Sequence, residues 1–113
     1  IYEHLQVSPQ GMASIVLTKE VLDHFGATDQ LASLVVSVPG TIEGVLAWSL
    51  YVEQEDGTFR VHLRSKGPSV NHIAQKFGGG GHTLACGIPS VTNRQITEID
   101  KAMEVEISNF NKI

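Results

Sequence analysis

The sequence predicts one domain of mixed α and β structure, an α/β or α+β fold in which helices flank a small mixed β-sheet. Continuous or alternating apolar patterns typical of strands occur at 12–17, 45–53 and 58–65. Apolar residues at helical spacing follow them at 69–77 and 92–110. A chain of 113 residues suffices for one domain that buries roughly two thirds of its unfolded surface.

The N-terminal part is predicted to form a strand and two short helices. The strand covers Met12 to Leu17, which are mostly apolar and include β-branched residues. Thr18 is predicted to cap the first helix, and Gly26 to end it. Thr28 or Asp29 is predicted to cap the second helix.

Two strands joined by a hairpin are predicted at the centre of the sheet. The segment from Val45 to Glu53 is apolar on both alternations, which predicts a strand covered on both sides. Asp56-Gly57 predicts a tight turn, and the returning strand runs from Thr58 to Ser65. One face of that strand carries three basic or titratable side chains: Arg60, His62 and Arg64.

These three side chains fit an anion site, and they also fit the exposed face of an edge strand. The exposed face is the favoured interpretation for Arg60 and His62. Arg64 differs because it lies at the end of the strand, where binding sites tend to be built.

After the hairpin, the sequence predicts a helix that Ser69 caps and that Gly78 ends. A short turn of helix from Thr83 to Ala85 and a short strand from Gly87 to Val91 are then expected. Thr92 and Gln95 form a capping box for the last helix. Its acidic and amide side chains are expected to face water, and its buried face is predicted to consist of Ile96, Ile99, Met103, Ile107 and Phe110.

The most informative motif is the run of four glycines, Gly78 to Gly81, followed by His82. Glycine loses more backbone entropy on folding than any other residue, so such a run must serve a purpose that side chains would obstruct. Close approach of a phosphate to backbone N–H groups is such a purpose, and a histidine adds a donor or a proton. A flexible linker is the competing interpretation, but apolar patterned residues on both sides place the run inside a folded unit.

Composition excludes several classes of protein. A formal net charge of −4 argues against a broad nucleic-acid surface but leaves room for a small basic pocket. The single cysteine, Cys86, cannot form an internal disulfide and fits a cytoplasmic setting; it is predicted to be a small core residue. No apolar stretch approaches the ~20 residues that a membrane span needs. No acidic and histidine residues stand at metal-ligand spacing, so no metal ligand or catalytic residue is predicted here.

Whether Arg64 and the glycine run meet depends on the fold, because spacing along the chain does not decide it. If they meet, the pocket combines a guanidinium, the hydroxyl of Ser65, backbone N–H donors and an imidazole. Arginine matches two phosphate oxygens at once, and histidine can donate to a phosphate or stack on a base. Such a pocket would recognise a phosphorylated group, most simply that of a nucleotide.

Two motifs in this chain resemble a known family. They are Arg64-Ser65-Lys66 and the segment 70–87, VNHIAQKFGGGGHTLACG. Together they are similar to the C-terminal, substrate-binding domain of DHH-family phosphoesterases, in particular the NrnA type, the bacterial bifunctional oligoribonucleases and pAp phosphatases. The resemblance covers nearly the whole chain, less securely before Val45, and implies the DHH-associated domain fold for residues 1–113.

The resemblance implies a two-domain enzyme of which this chain is a fragment, in agreement with its start at Ile1. The N-terminal DHH domain of the same polypeptide would bind manganese, and this chain alone would hydrolyse nothing. It would hold short single-stranded RNA or a mononucleotide bisphosphate. By position, the implied substrate ligands are Arg64, Ser65, Gly79, Gly80, Gly81 and His82, with Asn71 and Lys66 in supporting roles.

Three functional hypotheses follow. The first is the substrate-binding domain of a manganese-dependent phosphodiesterase that acts on short RNA and on 3′-phosphoadenosine 5′-phosphate (pAp). The second is a non-catalytic RNA-binding or dimerisation module like the C-terminal domain of alanyl-tRNA synthetases, which also carries GGGH. The third is a structural domain whose glycines only permit tight packing. The net acidity favours the first over a tRNA-binding module, and a homodimer stays open.

Overall fold

The computed structural model describes residues 5–26 and 28–111, with the side chains of residues 25 and 28–31 left aside. A six-stranded sheet with the order β1-β2-β3-β4-β6-β5 forms its centre. The strands are β1 Leu5–Val7, β2 Met12–Leu17, β3 Ala47–Glu53, β4 Phe59–Ser65, β5 Gly80–His82 and β6 Ala85–Val91. The helices are α1 Lys19–Phe25, α2 Thr28–Val35, α3 Asn71–Lys76 and α4 Asn93–Asn111, and residues Val38–Thr41 form a 3₁₀ helix.

The sheet is mixed, as predicted, because β2 and β3 pair in parallel while every other neighbouring pair is antiparallel. A parallel pair needs a crossover connection, which α1 and α2 provide. The predicted ends of α1 are confirmed: Thr18 Oγ1 accepts from Val21 N at 3.4 Å, and Gly26 follows with φ +72°. Thr28 and Asp29, the predicted caps of α2, have side chains outside the described part of the structure.

Helices cover the two faces of the sheet unequally. On one face, α1 and α2 pack only over β2 and β3; their shared core consists of Leu22, Val35, Ile15, Leu17, Leu50 and Val52. On the other face, α3 and α4 close the main core. From Ala47 to Val52, β3 is buried at every residue, as expected for a strand that both layers cover.

Strand β4 shows the predicted alternation but is an interior strand, between β3 and β6. The prediction of an edge strand is therefore wrong. Phe59, Val61 and Leu63 are buried in the main core, so the three basic or titratable side chains lie on the α1–α2 face. Because α1 and α2 pack over β2 and β3, this face of β4 lies beside the helices instead of beneath them.

The last helix follows the predicted pattern at its start and in its core. Thr92 N donates to Gln95 Oε1 at 2.8 Å, and Gln95 N donates to Thr92 Oγ1 at 3.3 Å, which is the predicted capping box. Ile99, Met103 and Ile107 are completely buried. Phe110 is 42% exposed, so the prediction of a buried position is wrong. Its ring lies beside Gly67, in the turn that follows β4. None of the described helices is long and apolar enough to cross a membrane.

A buried carboxylate fixes α4 to the middle of the sheet. Asp100 accepts hydrogen bonds from Ser14 Oγ at 2.9 Å, from Ser49 Oγ at 2.9 Å and from Tyr51 Oη. Burial raises the pKa of Asp100 above its ordinary value, and the three hydroxyl bonds oppose that rise. Burial, together with the carboxylate, also raises the pKa of Tyr51. The expectation that the acidic residues of α4 all face water is wrong at this position.

Three further predictions differ from the structure. Ser69 does not cap α3: Val70 occupies the capping position without a side-chain bond, and Ser69 Oγ donates to Asn71 Oδ1 at 3.1 Å. The expected helical turn at 83–85 is a two-residue turn between β5 and β6. The sequence analysis predicted neither β1 nor β5; both strands are three residues long.

Replacement of Asp100 by alanine should destabilise the fold strongly. The change leaves three partly or fully buried hydroxyls without their acceptor, so we expect a loss of about 2–4 kcal/mol in the free energy of unfolding. Urea denaturation measures it. Glu98→Ala, on the exposed side of the same helix, should stay within about 0.5 kcal/mol of wild type; equal losses in the two variants would contradict the role of the network.

The contribution of Asp100 should also depend on pH. Folding raises the pKa of this carboxyl above 3.8, so the folded chain holds the proton more tightly than the unfolded chain does. The resulting stabilisation is complete below the unfolded pKa and is lost as pH rises through the folded pKa. The free energy of unfolding of wild type minus that of Asp100→Asn should therefore be more positive at about pH 4 than at about pH 7. A difference that grew with pH would contradict this assignment.

Candidate functional site

The glycine run ends one element and begins another. Gly78, at φ +96°, follows α3 in a backbone conformation that glycine favours, and Gly79 N donates to Ala74 O at 2.7 Å. The chain then enters β5, in which Gly80, Gly81 and His82 pair with β6. The run is thus ordered backbone at the margin of the sheet, which disagrees with the flexible-linker interpretation.

Packing within the fold explains two of the three glycines that follow Gly78. A Cβ on Gly79 would lie 2.0 Å from Gly87 O, so only glycine fits against β6 there. A Cβ on Gly81 would lie 2.8 Å from the Cα of Cys86, and the φ of Gly81 is +139°. Gly80 differs, because a Cβ there would meet no atom within 4 Å and its φ is outside the left-handed range. The fold itself therefore does not require glycine at position 80.

Sheet register brings Arg64 and His82 to the same face. Ala85 of β6 pairs with Arg64 of β4 on one side and with His82 of β5 on the other. Directly opposed residues in antiparallel strands project to the same face, which here is the α1–α2 face. Two strand spacings separate the two backbones, about 10 Å. The question left open by the sequence is answered: the fold brings both residues to one face.

Between Arg64 and His82, strand β6 presents only small residues to this face. Gly87 pairs with Gly80 and with His62, and Ala85 lies one pleat further along. The result is a low floor of backbone and one methyl group, with a guanidinium on one side and an imidazole on the other. Arg64 Nη1 is held above this floor by donating to Leu63 O at 2.9 Å and to Cys86 O at 3.2 Å.

The other residues predicted for the site lie apart from this floor. Ser65 pairs with Ala47 on the α3–α4 face, and its hydroxyl accepts from Gly67 N at 3.0 Å, so it orders the turn that follows β4. Lys66 Nζ donates to Ile42 O at 3.1 Å. Asn71 begins α3, where its Oδ1 accepts from Ser69 Oγ.

His62 lies half-buried between Arg60 and Arg64 on the same face of β4. Burial and the two neighbouring guanidinium groups lower the pKa of His62, which favours the neutral imidazole at physiological pH. The sequence favoured the exposed face of an edge strand for Arg60 and His62; Arg60 is exposed as predicted, whereas His62 is half-buried and β4 is an interior strand. Strand β3 is apolar on both faces, which indicates a wide sheet. This signal could have shown that its neighbour β4 is not an edge strand.

The described residues offer binding groups but no reaction machinery. They contain no group of three His, Cys, Asp or Glu side chains that could hold a metal ion. Cys86 is buried, and burial raises the pKa of its thiol, so it packs as a core residue. The resemblance places the manganese ion in a separate domain of the same polypeptide, and these residues do not test that expectation. The arrangement can recognise an anion, and no step of a hydrolysis is assigned to it.

Comparison with known proteins gives a consistent result. The DHHA1 domain family matches residues 12–109. The chain is 43% identical over 90 residues, 80% of its length, to the probable bifunctional oligoribonuclease and PAP phosphatase NrnA of Streptococcus mutans. It is 44% identical over 87 residues, 77% of its length, to the bifunctional oligoribonuclease and PAP phosphatase NrnA of Bacillus subtilis. It spans only 29% and 28% of the lengths of these two relatives.

A solved structure shares the fold. The exopolyphosphatase-related protein from Bacteroides fragilis superposes with a TM-score of 0.78 at 24% sequence identity. The match covers 97% of this chain and 32% of that protein. This likeness concerns the fold alone, and it agrees with the mixed sheet and flanking helices described above.

Alanine at positions 79 and 80 should have contrasting effects on stability. Gly79→Ala forces a methyl group into Gly87 O, so we expect a loss of about 2–3 kcal/mol or more. Gly80→Ala points into open space and should change stability by less than about 1 kcal/mol. Urea denaturation of the two variants measures the contrast. Equal losses would mean that Gly80 also has a packing role.

Proposed function

This chain belongs to the DHHA1 domain family, and from that premise we propose that it is the substrate-binding domain of a phosphoesterase. The substrates we propose are short oligoribonucleotides and pAp, those named for its relatives from Streptococcus mutans and Bacillus subtilis. The domain binds the substrate phosphate and the terminal nucleotide. Catalysis takes place elsewhere in the same polypeptide.

One observation carries this proposal: Arg64 and His82 flank a floor without large side chains on the uncovered part of the α1–α2 face. A guanidinium offers a planar pair of donors to phosphate oxygens. An imidazole on the opposite side can donate to the phosphate or stack on the base. Ala85 and Gly87, between them, leave the backbone accessible for close approach.

Gly80 supports ligand binding over a purely structural role for the glycine run. Tight packing accounts for Gly79 and Gly81, but position 80 is open. Since Gly80 lies opposite Gly87 in the floor, a side chain there would stand where the ligand approaches. The absence of a side chain at this position is consistent with a binding surface.

The proposed division of labour places manganese and the DHH motif in a second, N-terminal domain. One fact supports it: the chain spans under one third of the lengths of these two relatives. The metal would supply an activated water and neutralise charge on the phosphate. In this scheme, the direct ligands are Arg64 and His82. The role of the other three residues is indirect: they stabilise the turn after β4 and the start of α3, and they are Ser65, Lys66 and Asn71.

Replacement of Arg64 by alanine in the full-length polypeptide tests the proposal. A charge-assisted contact to a phosphate contributes about 1.5–3 kcal/mol, so kcat/KM for pAp should fall about 10–150-fold. Thermal unfolding should confirm that the variant is folded. The matched control is Arg94→Ala, which removes the same charge from the exposed start of α4 and should retain wild-type kcat/KM. Unchanged kcat/KM in Arg64→Ala would refute the assignment.

A further inference from the structure

The basic row of β4, meaning Arg60, His62 and Arg64, extends beyond the floor between Arg64 and His82. The three side chains alternate with core residues and so share the α1–α2 face. Successive members are two residues apart, about 6.7 Å, and the whole row is about 13 Å long. The row begins at the predicted phosphate ligand Arg64 and runs along β4 toward the β3–β4 hairpin.

The row carries charge that the described part of the fold does not neutralise. The ion pairs found among described residues are Lys19 with Glu55 and His72 with Glu106, and neither involves the row. Glu53 and Glu55 line a depression beside Arg60 and His62; Glu55 forms an ion pair with a lysine of α1, whereas Glu53 bonds only a backbone N–H and keeps its charge. Glu53 Oε1 accepts from Lys19 N at 2.7 Å, and Glu55 pairs with Lys19 Nζ.

A groove runs alongside the row. Its floor is β4, and one side is formed by small or medium side chains of α2 and the residue after it, Ala32, Ser33 and Val36. The depression that these residues form with the basic row has a volume of about 270 Å³. On the other side, β6 contributes the low floor described above. The groove is therefore basic along β4 and has no acidic residue in its lining between Arg60 and Arg64.

We propose that the basic row binds the phosphodiester backbone of a single-stranded oligonucleotide. The strand continues from the phosphate at Arg64, past His62, to a further phosphate at Arg60. The backbone positions of Arg64 and Arg60 are about 13 Å apart, so we expect a mononucleotide bisphosphate, whose two phosphates are separated by one ribose, to contact Arg64 without reaching Arg60. The row thus gives oligonucleotides a contact that pAp lacks. This inference rests on the proposed function, because it takes the ligand at Arg64 to be a nucleotide phosphate.

His62 suits the middle of such a path. Burial lowers the pKa of His62, and the two neighbouring guanidinium groups lower it further; phosphates on the two arginines would offset the second of these effects. The imidazole could then take up a proton and add a third charge-assisted bond to the ligand. Arg60, which is exposed and makes no hydrogen bond or ion pair within the described structure, loses no internal contact on binding.

The test compares two ligands in the full-length polypeptide, with metal removed by EDTA so that neither ligand is hydrolysed. The ligands are pAp and 5′-phosphorylated triadenylate, and their dissociation constants are measured by calorimetry at several salt concentrations. Arg60→Ala should weaken triadenylate binding about tenfold. It should reduce the slope of log K against log salt by about 0.7, the value for one phosphate contact on a single strand. Binding of pAp should change by less than about twofold.

The control is Arg94→Ala, which changes net charge equally but lies on α4. If Arg60→Ala and Arg94→Ala affect triadenylate alike, or if Arg60→Ala weakens both ligands equally, the basic row is not an oligonucleotide path. If the wild-type protein binds both ligands and Arg60→Ala changes neither dissociation constant, this inference alone is overturned. A wild-type protein that binds neither ligand overturns the proposed function as well. Because Arg60 is exposed, its variant should fold, and thermal unfolding checks that it does.

Discussion

The candidate site depends on how β6 pairs with its two neighbours. Arg64 and His82 are 18 residues apart along the chain and share no contact that the sequence alone could predict. They meet on one face only because Ala85 pairs with both of them. A slip of one residue on either side of β6 would send one of the two side chains to the opposite face. The close approach of Gly79 to Gly87 O opposes such a slip, because only a residue without a Cβ fits against this carbonyl oxygen.

Helices cover the two halves of the α1–α2 face unequally among the described residues. The parallel pair β2–β3 needs a crossover, and α1 and α2 bury only that half of the face. The opposite face is closed by α3 and α4, and the Asp100 network joins α4 to both strands of the parallel pair. One rigid layer therefore supports a sheet whose other face is half open. The open half is the part that carries the basic row and the glycine strand.

The predictions from the sequence succeeded where one local pattern determined the structure. The period of β4, the capping box at Thr92 and the caps of α1 each depend on neighbours within a few residues, and all three were confirmed. The family was also evident from the motifs, because the spacing of a glycine run and its flanks is specific. The predictions that failed concern features that depend on residues distant in the sequence. β5 has almost no strand propensity of its own, and only its pairing with β6 makes it a strand. From the sequence, Asp100 is expected to be a solvent-exposed acid, because the hydroxyl groups that bind it are 49 to 86 residues away along the chain.

Both margins of the sheet are three-residue strands, β1 and β5. An edge strand exposes unpaired N–H and C=O groups that can template pairing with another chain, and very short edges are one way in which proteins limit that hazard. At β5, the left-handed backbone of Gly81 further interrupts the series of unpaired N–H and C=O groups to which a foreign strand would bind. In the described part of the sheet, these short edges leave little backbone with which a foreign strand could pair.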